Sequence, residues 1–366
     1  MSSTLVSDDS ASCAGQPAAL QALCPEELVD LAPGVELAEA RKLISCVHRM
    51  GELPARSPSE VRRRSLDRVR AVTQVPTLRL LARIPSSVDG FVKYSIATHQ
   101  GIIEAVKIPL EKPGRFTVCV SSQVGCGLGC AFCATGRMGL WRNLQAWEIV
   151  EQVRIVRREL ASGAHVHGVV FQGMGEPLAN WNEVRQAARV LSEPCAQAID
   201  ARNITISTVG LPTGIRALAR ALPNVRLAVS IGSALPEVRR TLIPMEIVQP
   251  LSAVLAAAGE HTRATRHAPL FAYTLLAGKN DTREDAIALA ELTREFAARY
   301  GKRPRLSLIP YNSIGSNDPF ERSDAAREDS FRQALVAEGV IPTRRYSGGG
   351  DVAAACGQLA ARPMVR

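Results

Sequence analysis

The sequence contains few aromatic residues, no apolar segment long enough to cross a membrane and no leader-like segment at its beginning. Phe, Trp and Tyr make up only 4% of the 366 residues, fewer than a protein that binds single-stranded nucleic acid on stacked aromatic rings normally has. The best apolar run, residues 251–258, is far shorter than the ~20 residues of a membrane-spanning helix. The first residues have neither a basic segment nor an apolar core, so we expect no secretory signal, no membrane partner and a cytoplasmic location.

Composition and charge are those of an ordinary globular protein with a basic surplus. Apolar residues make up 46% and charged residues 22% of the chain, which allows a sizeable core and excludes disordered, collagen-like and small disulfide-stapled classes. The length suits one large domain and a smaller one. A net charge of +9 is typical of a protein that meets a polyanion such as nucleic acid, although a solubility role explains the charge alone equally well.

Cysteine is the most informative residue type in this chain. Nine cysteines without an export signal are expected to be reduced thiols. Four of them lie within residues 119–133, and such clustering indicates metal or redox chemistry rather than structural bridges. The six histidines show no ligand spacing, and we assign them no role.

The first part of the chain, residues 1–85, is predicted to be a helical, basic accessory domain. The stretch SPSEVRRRSLDRVRAV begins with a Ser cap and carries arginines that either meet phosphates or form a solvated helix face. These arginines are Arg62, Arg63, Arg64, Arg68 and Arg70. Residues 86–112 predict a hairpin-like bridge of short strands, and residues 348–366 a glycine-rich C-terminal tail.

Residues 113–347 alternate between short apolar strands and amphipathic helices. The candidate strands are residues 116–120, 168–171, 203–207, 226–230, 270–276 and 305–309. The candidate helices are residues 146–160, 182–191, 213–221, 251–258, 283–300 and 324–338. This order indicates a parallel sheet with helices outside, and therefore an α/β fold with a partial (β/α)6 barrel rather than the full eight units.

Cys126, Cys130 and Cys133 have a C-x3-C-x2-C spacing in the stretch SSQVGCGLGCAFCATG, directly after the first candidate strand. Its glycines allow the loop to fold tightly enough for three thiolates to converge. Three thiolates suit a [4Fe–4S] cluster that keeps one iron open to a small-molecule ligand. A structural zinc with a distant fourth ligand and three inert buried cysteines are the alternatives.

The motifs together resemble the RlmN/Cfr family of radical S-adenosylmethionine (SAM) RNA adenine methyltransferases. The segments that carry the resemblance are CVSSQVGCGLGCAFCATGRMGLWRNLQAWEIVEQV, FQGMGEPLANWNEV, ITISTVG, LIPYN and DVAAACGQLA, with DGFVKYSIATHQGIIEAVKIP upstream. They span roughly residues 89–361. The resemblance implies a partial β/α barrel, one [4Fe–4S] cluster held by Cys126, Cys130 and Cys133, and SAM on its fourth iron.

The resemblance also implies a set of SAM-binding residues. All of them lie at or just after the carboxyl end of a candidate strand, where β/α barrels collect functional groups. They are Gly175, Glu176, Ser207, Ser230, Ile231, Gly232 and Asn312. For a single Ser or Asn, a role as turn or helix-cap residue is the alternative.

Two further thiols and one carboxylate receive roles from the same resemblance. Cys356 would carry a methyl group as S-methylcysteine, and Cys119 would resolve the resulting RNA adduct through a transient disulfide with Cys356. Glu104 would accept the proton of the adenine ring. A solvent-facing strand carboxylate is the alternative interpretation of Glu104.

The implied substrate is carbon 2 of an adenosine in 23S ribosomal RNA, with transfer RNA as a further substrate and a flavodoxin-type protein as electron donor to a monomer. Carbon 8, a non-RNA substrate and a non-catalytic RNA-binding protein with a structural metal are the alternatives. The sequence departs from the family text at Gly232, where relatives have His, and at residues 348–351, where Gly-Gly-Gly-Asp replaces Arg-Gly-Asp-Asp. These departures leave the substrate open.

Overall fold

The computed structural model describes residues 17–360. Residues 1–16 and 361–366 lie outside the described residues, together with the parts of the predicted accessory domain and tail that fall on them. The chain forms two compact units that divide between residues 76 and 77. Among the described helices, none combines the length and apolar character that a membrane crossing requires.

The first unit is helical. Its elements are α1 (Pro25–Leu31), α2 (Leu37–Met50) and α3 (Arg63–Val72), with the two-residue strands β1 (Ala18–Ala19) and β2 (Thr73–Gln74) paired in parallel. Leu28, Leu43 and Leu66 are buried between the helices, as their apolar spacing predicts.

Most of the arginines around α3 have partners inside this unit. The Nε of Arg62 donates to the Glu39 carboxylate over 2.9 Å, and this guanidinium holds the pKa of Glu39 well below its usual range. Arg68 donates to the carbonyl of Pro33, and Arg70 to that of Pro54. These three arginines therefore stabilise the unit itself, while the neighbouring Arg63 and Arg64 are exposed.

The second unit contains all remaining elements. Its strands are β3 (Arg79–Pro85), β4 (Val92–Thr98), β5 (Gly101–Pro109), β6 (Arg115–Val120), β7 (Gln123–Cys126), β8 (Gly139–Asn143), β9 (His165–Phe171), β10 (Ile204–Thr208), β11 (Arg226–Ser230), β12 (Leu270–Leu275), β13 (Arg305–Pro310) and β14 (Thr343–Arg344). Its helices are α4 (Ala146–Arg158), α5 (Trp181–Ser192), α6 (Pro212–Ala221), α7 (Pro236–Leu242), α8 (Leu251–Thr265), α9 (Arg283–Tyr300) and α10 (Ala325–Ala337).

Ten of these strands form one sheet in the order β14-β13-β12-β11-β10-β9-β6-β5-β4-β3. Strands β6 and β9 to β14 pair in parallel, with helices between them, so the predicted α/β class and parallel β/α arrangement are confirmed. Strands β3, β4 and β5 continue the same sheet in antiparallel pairs. The residues predicted as a bridge are thus structurally part of the sheet.

One helix extends beyond its prediction. The sequence predicts a helix over residues 251–258, but α8 continues to Thr265. A β-carbon at Gly259 would lie 2.2 Å from the Tyr300 ring, so this glycine provides close packing against α9 instead of ending the helix.

The hairpin of β7 and β8 holds the ends of the cysteine loop together, an arrangement for which the sequence prediction had only a loop. Gly125 has φ +77°, and a β-carbon there would lie 2.0 Å from the carbonyl oxygen of Gly139. Only glycine fits this close approach of the two strands.

Candidate active site

The polar residues predicted from the strand ends share one edge of the sheet. Ser207 is the second-last residue of β10, Ser230 ends β11, and Asn312 follows β13 by two residues. Glu176 follows β9 after a short loop. Because the carboxyl ends of parallel strands lie at the same edge of a sheet, these groups are gathered at that edge.

The cysteine loop is compact and lies at this edge, with Cys130 buried and Cys126 and Cys133 half-buried. Cys126 ends β7, while Cys130 and Cys133 lie in the turn that follows, where the amide of Cys133 donates to the carbonyl of Cys130 over 3.2 Å. A β-carbon at Gly136 would lie 2.8 Å from the Cys130 carbonyl oxygen. The loop therefore folds back on itself, and glycine makes this possible.

The three thiols lie within electrostatic reach of one another. Burial raises the pKa of Cys126 to about 12, and burial likewise raises the pKa values of Cys130 and Cys133. The charge of one thiolate adds to the shift of another in each of the three pairings. Such thiols stay protonated until a cationic group lies between them, since a metal centre deprotonates its cysteine ligands.

The set of donor atoms in the cysteine loop suits a polynuclear centre. Across residues 17–360, no three His, Cys, Asp or Glu side chains lie close enough to hold one metal ion. In an iron–sulfur cluster each thiolate binds a different iron, so the ligand sulfurs lie further apart than around one ion. Three mutually coupled thiols in one loop therefore suit a cluster with three protein ligands.

Glu176 lies beside this loop in a buried position. Only 3% of the residue is exposed, and burial raises its pKa to about 7 even though the amides of Leu178 and Val209 donate to its carboxylate over 3.0 and 3.1 Å. Its field also raises the pKa of Cys126. The preceding Gly175 has φ +97°, and a β-carbon there would lie 2.8 Å from the backbone nitrogen of Gln123.

The segment after β11 shows why glycine occupies position 232, where the sequence departs from the family's usual histidine. Ser230 is half-buried and Ile231 is fully buried. Gly232 has φ +72°, and a β-carbon there would lie 2.6 Å from Ile243 Cδ1. The side chain of a histidine at this position would therefore collide with Ile243 as it is placed in this structure. The Gly232 backbone is also held by the side-chain amide of Asn280, which donates to the Gly232 carbonyl over 2.6 Å.

Arg239 is a buried residue of this edge that the sequence analysis missed. Its Nε donates to the carbonyl of Ile231 and its Nη2 to the carbonyl of Val209, each over 2.8 Å, so it ties the ends of two strands together. It also forms a buried ion pair with Glu246. The helical spacing of Leu235, Arg239 and Leu242 is the signal that places this arginine on an inward face.

Cys119 and Cys356 line one small cavity of about 80 Å³, and Cys133 lines it too. Cys119 lies in β6, paired with Val106 of β5 and Val170 of β9. Burial raises the pKa of Cys119 to about 12, and the charge of Cys356 adds to this shift. The structure therefore brings together the two thiols that the sequence separates by more than half the chain.

The C-terminal tail holds Cys356 in place by bonds to the cysteine loop. The amide of Ala134 donates to the carbonyl of Gly357 over 2.8 Å, and the Thr135 hydroxyl donates to the carbonyl of Leu359. At its base, the Asn312 amide donates to the Ser347 hydroxyl over 2.7 Å. The tail thus covers the edge of the sheet where the other predicted residues lie.

The cysteines are reduced throughout the part of the chain that the structure describes. They are Cys24, Cys46, Cys119, Cys126, Cys130, Cys133, Cys195 and Cys356. The expected disulfide between Cys119 and Cys356 is therefore absent from this structure, which shows both as free thiols.

Glu104 is buried, with 4% of the residue exposed, so its interpretation as a solvent-facing carboxylate is wrong. Lys93 Nζ lies 3.3 Å from Glu104 Oε1, and the amide of Ala360 donates to Oε2 over 3.0 Å. The carboxylate therefore joins strands β4 and β5 to the tail. Lys93 is a further buried residue that the sequence predictions did not include.

Comparison with known proteins identifies a superfamily and several relatives that the chain resembles. The model of the radical SAM superfamily matches residues 120–293. The chain is 58% identical, over 92% of its length and 91% of the relative's, to a probable RNA methyltransferase of Sorangium cellulosum. It is 43% identical, over 75% of its length and 77% of the relative's, to a dual-specificity RNA methyltransferase RlmN of Syntrophobacter fumaroxidans.

A solved structure shows the same fold. The crystal structure of a radical SAM methyltransferase from Sphaerobacter thermophilus matches with a TM-score of 0.84 and 35% sequence identity. The match covers 94% of this chain and 100% of that one. The similarity therefore extends over both the sheet and the helical first unit.

Proposed function

Because the chain belongs to the RlmN-type family of radical SAM RNA methyltransferases, we propose that it methylates carbon 2 of an adenosine in 23S ribosomal RNA, with transfer RNA as a further substrate. The names of its relatives support an RNA substrate, and "dual-specificity" supports more than one target. The chain would act in the cytoplasm as a monomer and receive electrons from a flavodoxin-type protein.

One observation carries this proposal, namely the shared cavity of Cys119, Cys356 and Cys133. A methyl carrier must reach both the cluster and the thiol that later attacks it. Cys133 belongs to the cysteine triplet, and Cys356 lies close enough to Cys119 for its charge to raise the pKa of Cys119. A radical SAM enzyme without a carrier thiol has no need of this arrangement.

The residues of the sheet edge would hold the cofactors. Superfamily membership implies SAM and a [4Fe–4S] cluster, which when bound supply a transferable methyl group and a carbon-centred radical. Cys126, Cys130 and Cys133 would hold the cluster. The polar groups proposed for SAM are those of Gly175, Glu176, Ser207, Ser230, Ile231, Gly232 and Asn312.

The remaining three residues would process the methyl group on the protein. Cys356 would carry it, lose one methyl hydrogen atom to the carbon-centred radical that bound SAM would supply, and become bonded through the methyl carbon to the adenine ring. Glu104 would take the ring proton while the bound cluster would accept the one remaining electron. Cys119 would then attack the Cys356 sulfur, so that an S–S bond forms while the S–C bond breaks and the product carbon takes a proton. Cellular thiols would reduce the disulfide by two electrons for the next turnover.

Mass mapping of methylated adenosines tests the function directly. Ribosomal and transfer RNA are compared between cells with and without the gene, and between deletion cells that express the wild type, Cys356→Ala or Cys195→Ala. We expect 2-methyladenosine to disappear with the gene and to return with the wild type and Cys195→Ala only. Methylation at carbon 8, or no methyladenosine that depends on the gene, would contradict the proposal.

A further inference from the structure

We propose that a second cavity, named here the arginine pocket, binds the nucleotide next to the target adenine, with its phosphate on Arg322 and Arg345 and its base on Tyr346. The inference rests on the proposed RNA substrate and goes further, because it assigns the site of a neighbouring nucleotide. The arginine pocket is the cavity lined chiefly by Asp89, Asn312, Arg322, Arg344, Arg345 and Tyr346.

Size and position suit one nucleotide. The arginine pocket has a volume of about 520 Å³, within the range of about 300–1,000 Å³ that small-molecule sites occupy. It shares Arg345, Tyr346 and Ser347 with the cavity of Cys119 and Cys356. An RNA strand with its target adenine at the two thiols would therefore lead its adjacent nucleotide into the arginine pocket.

Two cations of the pocket have no carboxylate partner among the described residues. In the chain between residues 17 and 360, no ion pair is formed by Arg322 or Arg345: Arg322 is exposed, and Arg345 donates to the neutral amide oxygen of Gln172 over 2.8 Å. Arg344, by contrast, is paired with Glu328 over 2.6 Å. Guanidinium groups without an acidic partner are suited to hold phosphate oxygens.

The two carboxylates of the pocket are already engaged by donors. Asp89 accepts from the amide of Gly349 over 2.8 Å and from the Tyr346 hydroxyl over 2.9 Å. Asp351 accepts from the amide and the hydroxyl of Ser87. Both groups therefore shape the tail, and their hydrogen bonds reduce the negative potential that a phosphate would meet.

Tyr346 offers a fixed aromatic surface at the rim. It is 66% exposed, yet its hydroxyl is bonded to Asp89 and its ring packs edge-on against Phe91 at 6.1 Å between centroids. A β-carbon at Gly348 would lie 2.4 Å from Phe91 and 2.7 Å from Tyr346, so glycine is needed to leave the ring in this place. An exposed, anchored ring is a platform on which a base stacks regardless of sequence.

The test measures RNA binding by the reconstituted holoenzyme over a range of salt concentrations. The probe is a short, fluorescently labelled single-stranded RNA with one central adenosine in a uridine background. We expect Arg322→Ala to raise Kd about fivefold and to reduce the salt slope by about one, because one phosphate contact is lost. Arg283→Ala, which removes an exposed arginine at the start of α9, is the matched control and leaves both values unchanged.

The aromatic contact is tested separately. We expect Tyr346→Ala to raise Kd about tenfold with an unchanged salt slope, since stacking involves no counterion release, and Tyr346→Phe to bind nearly as the wild type does. SAM cleavage without RNA should be equal in the wild type and Arg322→Ala, which shows that the variant is folded and loaded.

The binding measurements and the methylation measurement test the pocket assignment and the proposed function separately. Equal Kd and equal salt slope for the wild type and Arg322→Ala overturn the pocket assignment, even if the wild type methylates RNA. If the variants bind as expected but the wild type methylates no adenosine in ribosomal or transfer RNA, the proposed function fails and the arginine pocket stands as an RNA-binding site.

Discussion

At the scale of single residues, Cys119 illustrates how position in the sheet governs reactivity. Burial raises its pKa to about 12, and the charge of Arg345 opposes this shift. A thiol with so high a pKa is a weak nucleophile in the resting protein, since the thiolate is the reactive form. Cys119 is thus expected to attack only when the substrate steps on Cys356 are complete and its proton is removed.

Replacing Cys119 with alanine should stop the reaction at a covalent protein–RNA adduct. The carrier Cys356 is left intact, but no thiol remains to displace the methyl-linked base from its sulfur. We expect a slowly migrating species in denaturing gels that ribonuclease converts to the mass of protein plus a short nucleotide. Cys195→Ala, which changes a half-buried thiol elsewhere in the same unit, should release product normally; an adduct-free Cys119→Ala enzyme would contradict the resolving role.

His261 should make the stability of the protein depend on pH well away from the active site. It is buried in α8 with 1% exposure, and burial lowers its pKa from 6.5 to about 4, with the charge of His267 adding to the shift. The unfolded chain takes up a proton near pH 6.5 and the folded chain only near pH 4, so stability falls as the pH drops through this window. The total loss is about 3 kcal/mol at ~1.4 kcal/mol per pKa unit.

Urea unfolding of the wild type and His261→Leu between pH 4 and pH 7.5 measures this dependence. Among residues 17–360, neither ring nitrogen of His261 has a hydrogen-bond partner, so leucine should be tolerated at neutral pH. The variant should lose most of the slope between pH 6.5 and pH 4. Parallel curves for the two proteins would show that other groups are responsible.

At the scale of elements, the sequence predicts continuous apolar strands well and pairings poorly. Residues 226–230 and 283–300 coincide with β11 and α9, because an apolar run and a long amphipathic pattern are local signals. The hairpin strand β8 was missed, since its mostly exposed residues show no alternation. The sheet's continuation through β5 was missed for a different reason: strand pairing is decided by distant parts of the chain.

In the candidate site, too, residues marked by local sequence signals were predicted, and residues that matter through distant contacts were missed. Motifs and the strand-end rule brought out Cys126, Glu176 and Ser207, all of which lie at one edge. Arg239 and Lys93 were missed because their significance comes from contacts across the fold, with the carbonyls of Ile231 and Val209 and with the Glu104 carboxylate. Helical spacing can place Arg239 on an inward face, but the partners of Arg239 and Lys93 cannot be read from the sequence.

The hairpin around the cysteine loop should depend on one glycine. Gly125→Ala places a β-carbon 2.0 Å from a backbone oxygen and requires φ +77°, so we expect a loss of about 2–4 kcal/mol in the free energy of unfolding and a lower iron content. Gly163→Ala is the matched control, because it shares a positive φ of +83° but has open space around it. It should cost only about 1 kcal/mol and retain iron.

Unfolding curves and iron-to-protein ratios for the two variants separate the effects. The hairpin's role is disproved if Gly125→Ala loads as much iron as Gly163→Ala and unfolds at the same urea concentration. A loss of stability without a loss of iron would show that the β7–β8 hairpin supports the fold but not the cysteine loop.

At the scale of the whole molecule, tail residues up to Leu359 complete a cavity whose other wall includes Cys119 of β6, the first strand of the parallel sheet. The cavity of Cys119 is walled by tail residues, among them Ala354, Gly357 and Leu359. The tail is attached through the cysteine loop, the Glu104 carboxylate and Asp89. Removal of this wall should therefore expose Cys119 to solvent while the sheet around it persists.

Truncation after Ser347 tests this closure, with truncation after Ala360 as the control that keeps every described tail contact. In the apo protein we expect the shorter chain to show at least about tenfold faster alkylation of Cys119, because exposure removes the burial that raises its pKa. Cys46, buried in the first unit, should react equally slowly in both chains and so report any general unfolding. If Cys119 remains as slow in the shorter chain as in the longer one, the sheet alone protects this thiol, and the tail serves to deliver Cys356 rather than to close the site.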